Sequence, residues 1–134
     1  MTLRARWVGQ FLLWTSGIHV GIVAAHPELY RHFADGAIVP GLTAAWRSWF
    51  MSAPAVCGLV VAGGEAGLAL LLLSARPERR RAGWLGVIAF HVALMAFGWG
   101  FWLWCVPALV LLVRSAHHDQ DVDVALGHLS EDRR

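Results

Sequence analysis

The chain predicts an all-α fold: an integral membrane four-helix bundle, both termini cytoplasmic, with a short interfacial helix in the first outer loop. Three observations predict it. Hydrophobic residues make up 57% of the chain and charged residues only 15%, against about 25% charged in a soluble domain. The apolar residues fall in long runs, and a run of about 20 suits a membrane-crossing helix. Most of the arginines gather at the ends of these runs, on one side of the membrane if there are four spans. At 134 residues there is room for one compact domain.

The first span runs from about residue 7 to 25, after Arg4 and Arg6 and before His26-Pro27. Val23-Ala24-Ala25 also fits a small-residue cleavage pattern, but the length suits a retained span. A connection follows to about Pro54, with Gly36, Pro40 and Gly41 as breakers. Inside it, Trp46, Trp49 and Phe50 surround Arg47. That composition fits a short helix at the membrane interface, or a cap over the bundle. The second span covers about 55–74, and Arg76-Pro-Glu-Arg-Arg-Arg81 forms a basic loop. Residues 82–114 would make a helix of about 50 Å at 1.5 Å per residue, too long for one span. Gly98-Trp99-Gly100 breaks them into a third span at 82–97 and a fourth at 99–113. Trp99, Phe101, Trp102 and Trp104 then form an interfacial aromatic belt. The transmembrane domain is thus 1–114.

Residues 115–134 are expected to be a polar cytoplasmic tail. His117, His118, Asp119, Asp121 and Asp123 suggest a metal site, but a solvated tail is the expectation, and no metal is assigned. Counting arginines puts the N-terminus, the 76–81 loop and Arg114 on the cytoplasmic side. All 11 basic residues are arginine and the net charge is +2, too small for nucleic-acid binding. Cys57 and Cys105 read as small core residues, able to pair only if they share an oxidising end. No CxxC points to zinc.

Three ionisable residues interrupt these apolar runs: His19, Glu65 and His91. Burying such a group costs roughly 2.5–3.5 kcal/mol even on insertion scales, so it usually faces a partner or a cavity. With four spans all three lie at the midplane or in the outer half. Neighbours at three, four and seven residues share a helix side. His19 shares its side with Thr15, Ser16 and His26. Glu65 shares its side with Gly58, Ala62 and Ala69, and His91 with Trp84 and Met95. Gly17-x-x-x-Gly21 and Gly63-x-x-x-Gly67 match the small-xxx-small packing pattern. A carboxylate near an imidazole can relay protons or bind a quinone carbonyl or hydroxyl. Two histidines can ligate haem b, and one glutamate with two histidines can hold a metal. Alternatively, Glu65 and a histidine merely satisfy each other.

Residues 4–114 resemble the DoxX-like family of small four-helix bacterial membrane proteins. The matching pieces are Ser16-Gly17-Ile18-His19 after an arginine-rich start, the long proline-bearing outer connection, Gly63-Gly64-Glu65-Ala66-Gly67-Leu68 before a leucine run, and the short basic loop. The resemblance implies a multi-pass protein of the bacterial inner membrane. Some relatives are linked to quinone-dependent thiosulfate oxidation or membrane oxidoreductase complexes, and related proteins act as assembly factors. By carry-over, His19 and Glu65 match the family's polar pair. The expected function is redox-associated, with His19, Glu65 and His91 holding a small ligand such as a quinone head group. No catalytic residue is assigned, and no flavin or dinucleotide motif is present, so an oxidoreductase role needs a partner subunit. The alternative is a non-catalytic accessory or scaffold subunit of a larger membrane complex, and the expected partners are the lipid bilayer together with other membrane-protein subunits or further copies of this chain.

Overall fold

In a computed structural model, which describes residues 2–131 and side chains through 125, all regular structure is helical. Helix α1 spans Leu3–Ala25 and α2 Leu42–Ser48; α3 spans Pro54–Leu72, α4 Pro77–Leu94 and α5 Trp99–Glu131. Short 3-10 segments occupy Pro27–Ala34, Phe50–Ser52 and Met95–Phe97. The starts follow local chemistry. The Thr2 hydroxyl caps α1 by accepting from the Ala5 amide. Prolines open α3 and α4, where a missing N–H costs nothing and φ is already helical.

Three helices are long and apolar enough to cross a membrane: Leu3–Ala25, Pro54–Leu72 and Trp99–Ala125, with mean hydropathies of 1.4, 2.0 and 1.5. Helix α4 is less apolar because Glu78, Arg79, Arg80 and Arg81 fill its first turns. It packs between α3 and α5, while α1 lies along α3 and touches α5.

The break expected at Gly98-Trp99-Gly100 is present, between α4 with its 3-10 extension and α5. Gly98 has φ +108°, a conformation open mainly to glycine. A Cβ there would lie 2.0 Å from the Gly36 carbonyl oxygen. The turn between α4 and α5 is therefore pressed against the first connection, and Ile38 donates to the Ala96 carbonyl at 3.1 Å.

Two sequence expectations are corrected. The stretch from residue 115 is not simply a solvated tail, because α5 continues without a break to Glu131 and Asp119 on it is buried. Its buried side carries Cys105, Leu112, Ala116 and then Asp119, one stripe at spacings of seven, four and three. Residues 132–134 of the expected tail lie outside the described residues. Secondly, Gly17, Gly21, Gly63 and Gly67 have open space where a Cβ would be and do not pack within the chain. The close approaches are made elsewhere. A Cβ on Gly58 would lie 2.6 Å from Val23 and 2.7 Å from the Tyr30 ring, and one on Gly9 would lie 2.8 Å from Leu73. The Ser16 hydroxyl crosses to the Ala62 carbonyl at 2.9 Å.

The long helices enclose two different halves. At the end holding the N-terminus, Ala5, Leu12, Ala69, Leu72, Trp84, Val87, Leu112 and Ala116 form a packed apolar core. Below it lies a buried ion cluster. Arg80, 1% exposed, donates from Nε to Asp119 at 3.1 Å and from Nη2 to Asp123. Its Nη1 reaches the Ser74 and Ala75 carbonyls at 3.2 and 3.0 Å. Asp119 also accepts from Trp84 Nε1 at 3.2 Å, and from the Thr2 hydroxyl and amide at 2.6 and 3.3 Å. Every strong donor in the cluster is thus matched, as a buried charge requires.

The other half is more open. The first connection folds over it as a cap. Trp46 Nε1 donates to the Tyr30 carbonyl at 2.7 Å, and the Thr43 hydroxyl to the Ala34 carbonyl at 2.7 Å. Trp46 stacks on Phe50 at 3.8 Å between ring centres and meets Phe97 edge-on at 5.1 Å. The short helix expected in this connection is α2, and the structure makes it part of a cap.

Candidate functional site

Under the cap lies a cavity of about 380 Å³, and His19, Glu65 and His91 all line it. The remaining wall is largely apolar, with Phe11, Ile18, Val61, Phe90 and Leu94 among it. The sequence-predicted faces explain the convergence. On α3, Gly58, Ala62, Glu65 and Ala69 form the buried side. On α4 the buried side is Arg80, Trp84, Val87 and His91. On α1, Ser16 is buried and Thr15 and His19 border the cavity. His26, expected on the same stripe, is exposed where α1 ends.

Glu65 is 6% exposed. Its Oε1 lies 3.7 Å from His19 Nε2, near enough for charge attraction and too far for a hydrogen bond. Its Oε2 is buried with no hydrogen-bond partner among the described residues. An unpaired buried acceptor costs about 1–3 kcal/mol, so this oxygen is either a stability defect or an attachment point.

His19 is oriented from its other side. Its Nδ1 lies 2.7 Å from the Tyr30 hydroxyl. Burial, and after it the charge of Glu65, push the Tyr30 hydroxyl above its ordinary range. The phenol therefore keeps its proton and donates it to Nδ1. In neutral His19 the remaining proton then sits on Nε2, facing Glu65. Tyr30, His19 and Glu65 form one line from cap to cavity.

His91 is 5% exposed and carries a complementary arrangement. Its Nδ1 lies 2.8 Å from the Val87 carbonyl, which can only accept, so Nδ1 holds the proton. In the neutral ring Nε2 is left as an acceptor. Trp104 packs beside the imidazole at 5.2 Å between ring centres.

The cavity thus presents two fixed acceptors, Glu65 Oε2 and His91 Nε2, in an apolar chamber. With no proton on either atom they suit a ligand that donates from hydroxyl or N–H; with a proton there, either can donate to a carbonyl. Among the described residues no three His, Cys, Asp or Glu side chains come together as a metal site. Cys57 and Cys105 are both free, the latter buried.

Tyr30 was not foreseen from the sequence. It is the chain's single tyrosine, 1% exposed, in a connection whose composition shows nothing of what it touches. The Arg80–Asp119 cluster was missed too, because one partner sits in a basic run and the other in a polar stretch. No protein-family model, curated protein or solved structure matches this chain.

Proposed function

We propose that this chain is a DoxX-like integral membrane protein of the bacterial inner membrane, holding a small amphipathic ligand, such as a quinone head group, in the capped cavity. The observation that carries the reading is the orphaned Glu65 Oε2 in an otherwise apolar chamber that two histidines also line. A volume of about 380 Å³ is at the small end of the roughly 300–1,000 Å³ typical of ligand sites. It fits a single ring with polar substituents.

The four-span topology is part of this reading. Helix α4 with its 3-10 extension, Pro77–Phe97, makes the fourth crossing. The Arg80 cluster ties the start of α1, the start of α4 and the 119–123 stretch of α5 together. The termini-side end is thus the arginine-rich end and faces the cytoplasm by the positive-inside rule. The aromatic cap faces outward. The chain has too little machinery for a complete oxidoreductase, so electron transfer falls to a partner subunit. The outward Gly17, Gly21, Gly63 and Gly67, with open space above them, favour a second reading, an accessory subunit that packs against another membrane protein.

The test is direct. Purified protein is extracted and its lipids analysed by mass spectrometry, and a short-chain benzoquinone is titrated against tryptophan fluorescence, since Trp46 and Trp104 line the cavity. Wild type should retain a quinone and show saturable quenching. Glu65→Gln should weaken binding by roughly 10- to 150-fold, in line with roughly 1.5–3 kcal/mol for a hydrogen bond to a charged group, with the fold retained. Unchanged binding in Glu65→Gln would defeat the ligand reading.

A further inference from the structure

A second apolar groove of about 350 Å³ lies against the cavity, between α1 and α5. It shares Phe11, Leu12, His91 and Trp104 with the cavity, so the two spaces meet at those four residues. From there it runs towards the arginine-rich end past Val8, Trp7, Ala108 and Leu111. Resting on the cavity's proposed role, we infer that its ligand is a lipid-like molecule with one linear apolar chain, and that this chain leaves past His91 and Trp104 to lie in the α1–α5 groove.

Polarity divides the two spaces. The cavity holds His19, Glu65, Thr15 and Tyr30. The groove's one ionisable side chain is His91, at the junction, and the rest of its lining is aliphatic or aromatic. A molecule occupying both is polar at one end and apolar along the rest.

The exits are also unequal. Outward, the chamber is closed by the stacked cap, which the Gly36–Gly98 contact and the Ile38–Ala96 hydrogen bond pin to the α4–α5 turn. Inward, Leu12, Leu112 and Ala116 close the core above the Arg80 cluster. Sideways, Phe11 and Trp104 stand between cavity and bilayer with ring centres 6.3 Å apart. They are 44% and 43% exposed. From Trp104 to Leu111 the groove follows α5 for about 10 Å at 1.5 Å per residue. Hydrocarbon gains little on moving from lipid to an equally apolar groove. The groove therefore orients the chain, and a position readout tests it better than affinity does.

The probe is a benzoquinone carrying a ten-carbon chain with a terminal diazirine, added to the full chain in liposomes, irradiated and mapped by peptide mass spectrometry. Label on Trp7, Val8 or Leu111 should exceed that on the exposed residues Val60, Leu70 and Leu85 by at least tenfold. Excess chainless benzoquinone should remove it. Ala108→Trp, which fills the groove, should abolish the groove label while chainless quinone still quenches tryptophan fluorescence. Leu111→Trp, at an exposed position, serves the same purpose if Ala108→Trp does not fold. Label spread evenly over the lipid-facing residues, with quenching by chainless quinone intact, overturns the groove assignment and leaves the cavity reading standing. Groove label that survives chainless competitor means ordinary bilayer lipid fills the groove, and overturns it equally. If chainless quinone never quenches wild type, the cavity reading itself has failed.

Discussion

The sharpest stability prediction concerns Asp119. Replacing it with alanine removes the acceptor of four donors: the Thr2 amide and hydroxyl, Arg80 Nε and Trp84 Nε1. Breaking a buried ion pair by deleting one partner costs about 3–5 kcal/mol. Arg80 keeps Asp123 and the Ser74 and Ala75 carbonyls, so its charge is not left alone. The lower end, about 3 kcal/mol, is therefore expected. Asp119→Asn keeps the shape but loses the charge and turns an N–H₂ towards other donors, for about 2 kcal/mol. Arg80→Met combined with Asp119→Leu should cost less than the two single changes summed, with a coupling of about 1 kcal/mol or more. Truncation after Arg114 should destabilise at least as much as Asp119→Ala. Unfolding in detergent micelles, followed by circular dichroism against denaturant, measures all four. The reasoning is refuted if Asp119→Ala stays within about 0.5 kcal/mol of wild type, the range of an ordinary surface position.

Three other perturbations read other parts of the fold. Gly58→Ala should cost about 1–3 kcal/mol by overpacking, because the new Cβ meets Val23 and the Tyr30 ring. Gly63→Ala, with nothing in its way, should be neutral within about 1 kcal/mol; equal losses at both would contradict the assigned α1–α3 face. Gly98→Ala should cost at least about 2 kcal/mol, from the positive φ and the 2.0 Å approach to Gly36. A wild-type melting curve for that variant would show that the cap is not pinned there. Exposed Asp35 is held below the usual carboxylate range by hydrogen bonds from His32 and then Arg47. A lowered folded value means that the stabilisation is present above the ordinary aspartate value and lost as pH falls through the lower one. Carbon NMR of the carboxyl should show a midpoint below that of an unpaired aspartate, and Arg47→Ala should raise it.

The candidate site was legible because its helices are so apolar. Glu65 and the two histidines stand out where every neighbour is apolar, and helical spacing assigned Gly58, Ala62 and Ala69 to the Glu65 side. Sequence favoured His19 over His91, yet both line the cavity, and His91 is the more buried. What escaped is what composition disguises. Arg80 sits among three other arginines, and Asp119 lies in a stretch, 115–123, where every residue but Ala116 and Val122 is polar. The readable signal was the continuing stripe Cys105, Leu112, Ala116, Asp119, which shows that α5 still has a buried side beyond Arg114. Small-residue spacing misled for a related reason. It says that two helices can approach closely, and nothing about which side of each does so.

The hydrogen bond between Thr2 and Asp119 joins positions 117 residues apart, and that span orders events during synthesis. Helices α1 and α3 can seal against each other through Ser16 and Ala62 once residue 62 is in place. The Thr2 cap of α1 gains its second partner only when nearly the whole chain has left the ribosome. Until then Arg80 has neither aspartate, and the closing of so long a loop comes late. The nascent protein therefore passes through a stage with one end zipped and, at the other, a guanidinium held only by the nearby Ser74 and Ala75 carbonyls. Completion of α5, which brings Asp119 and Asp123 to Arg80, ends that stage.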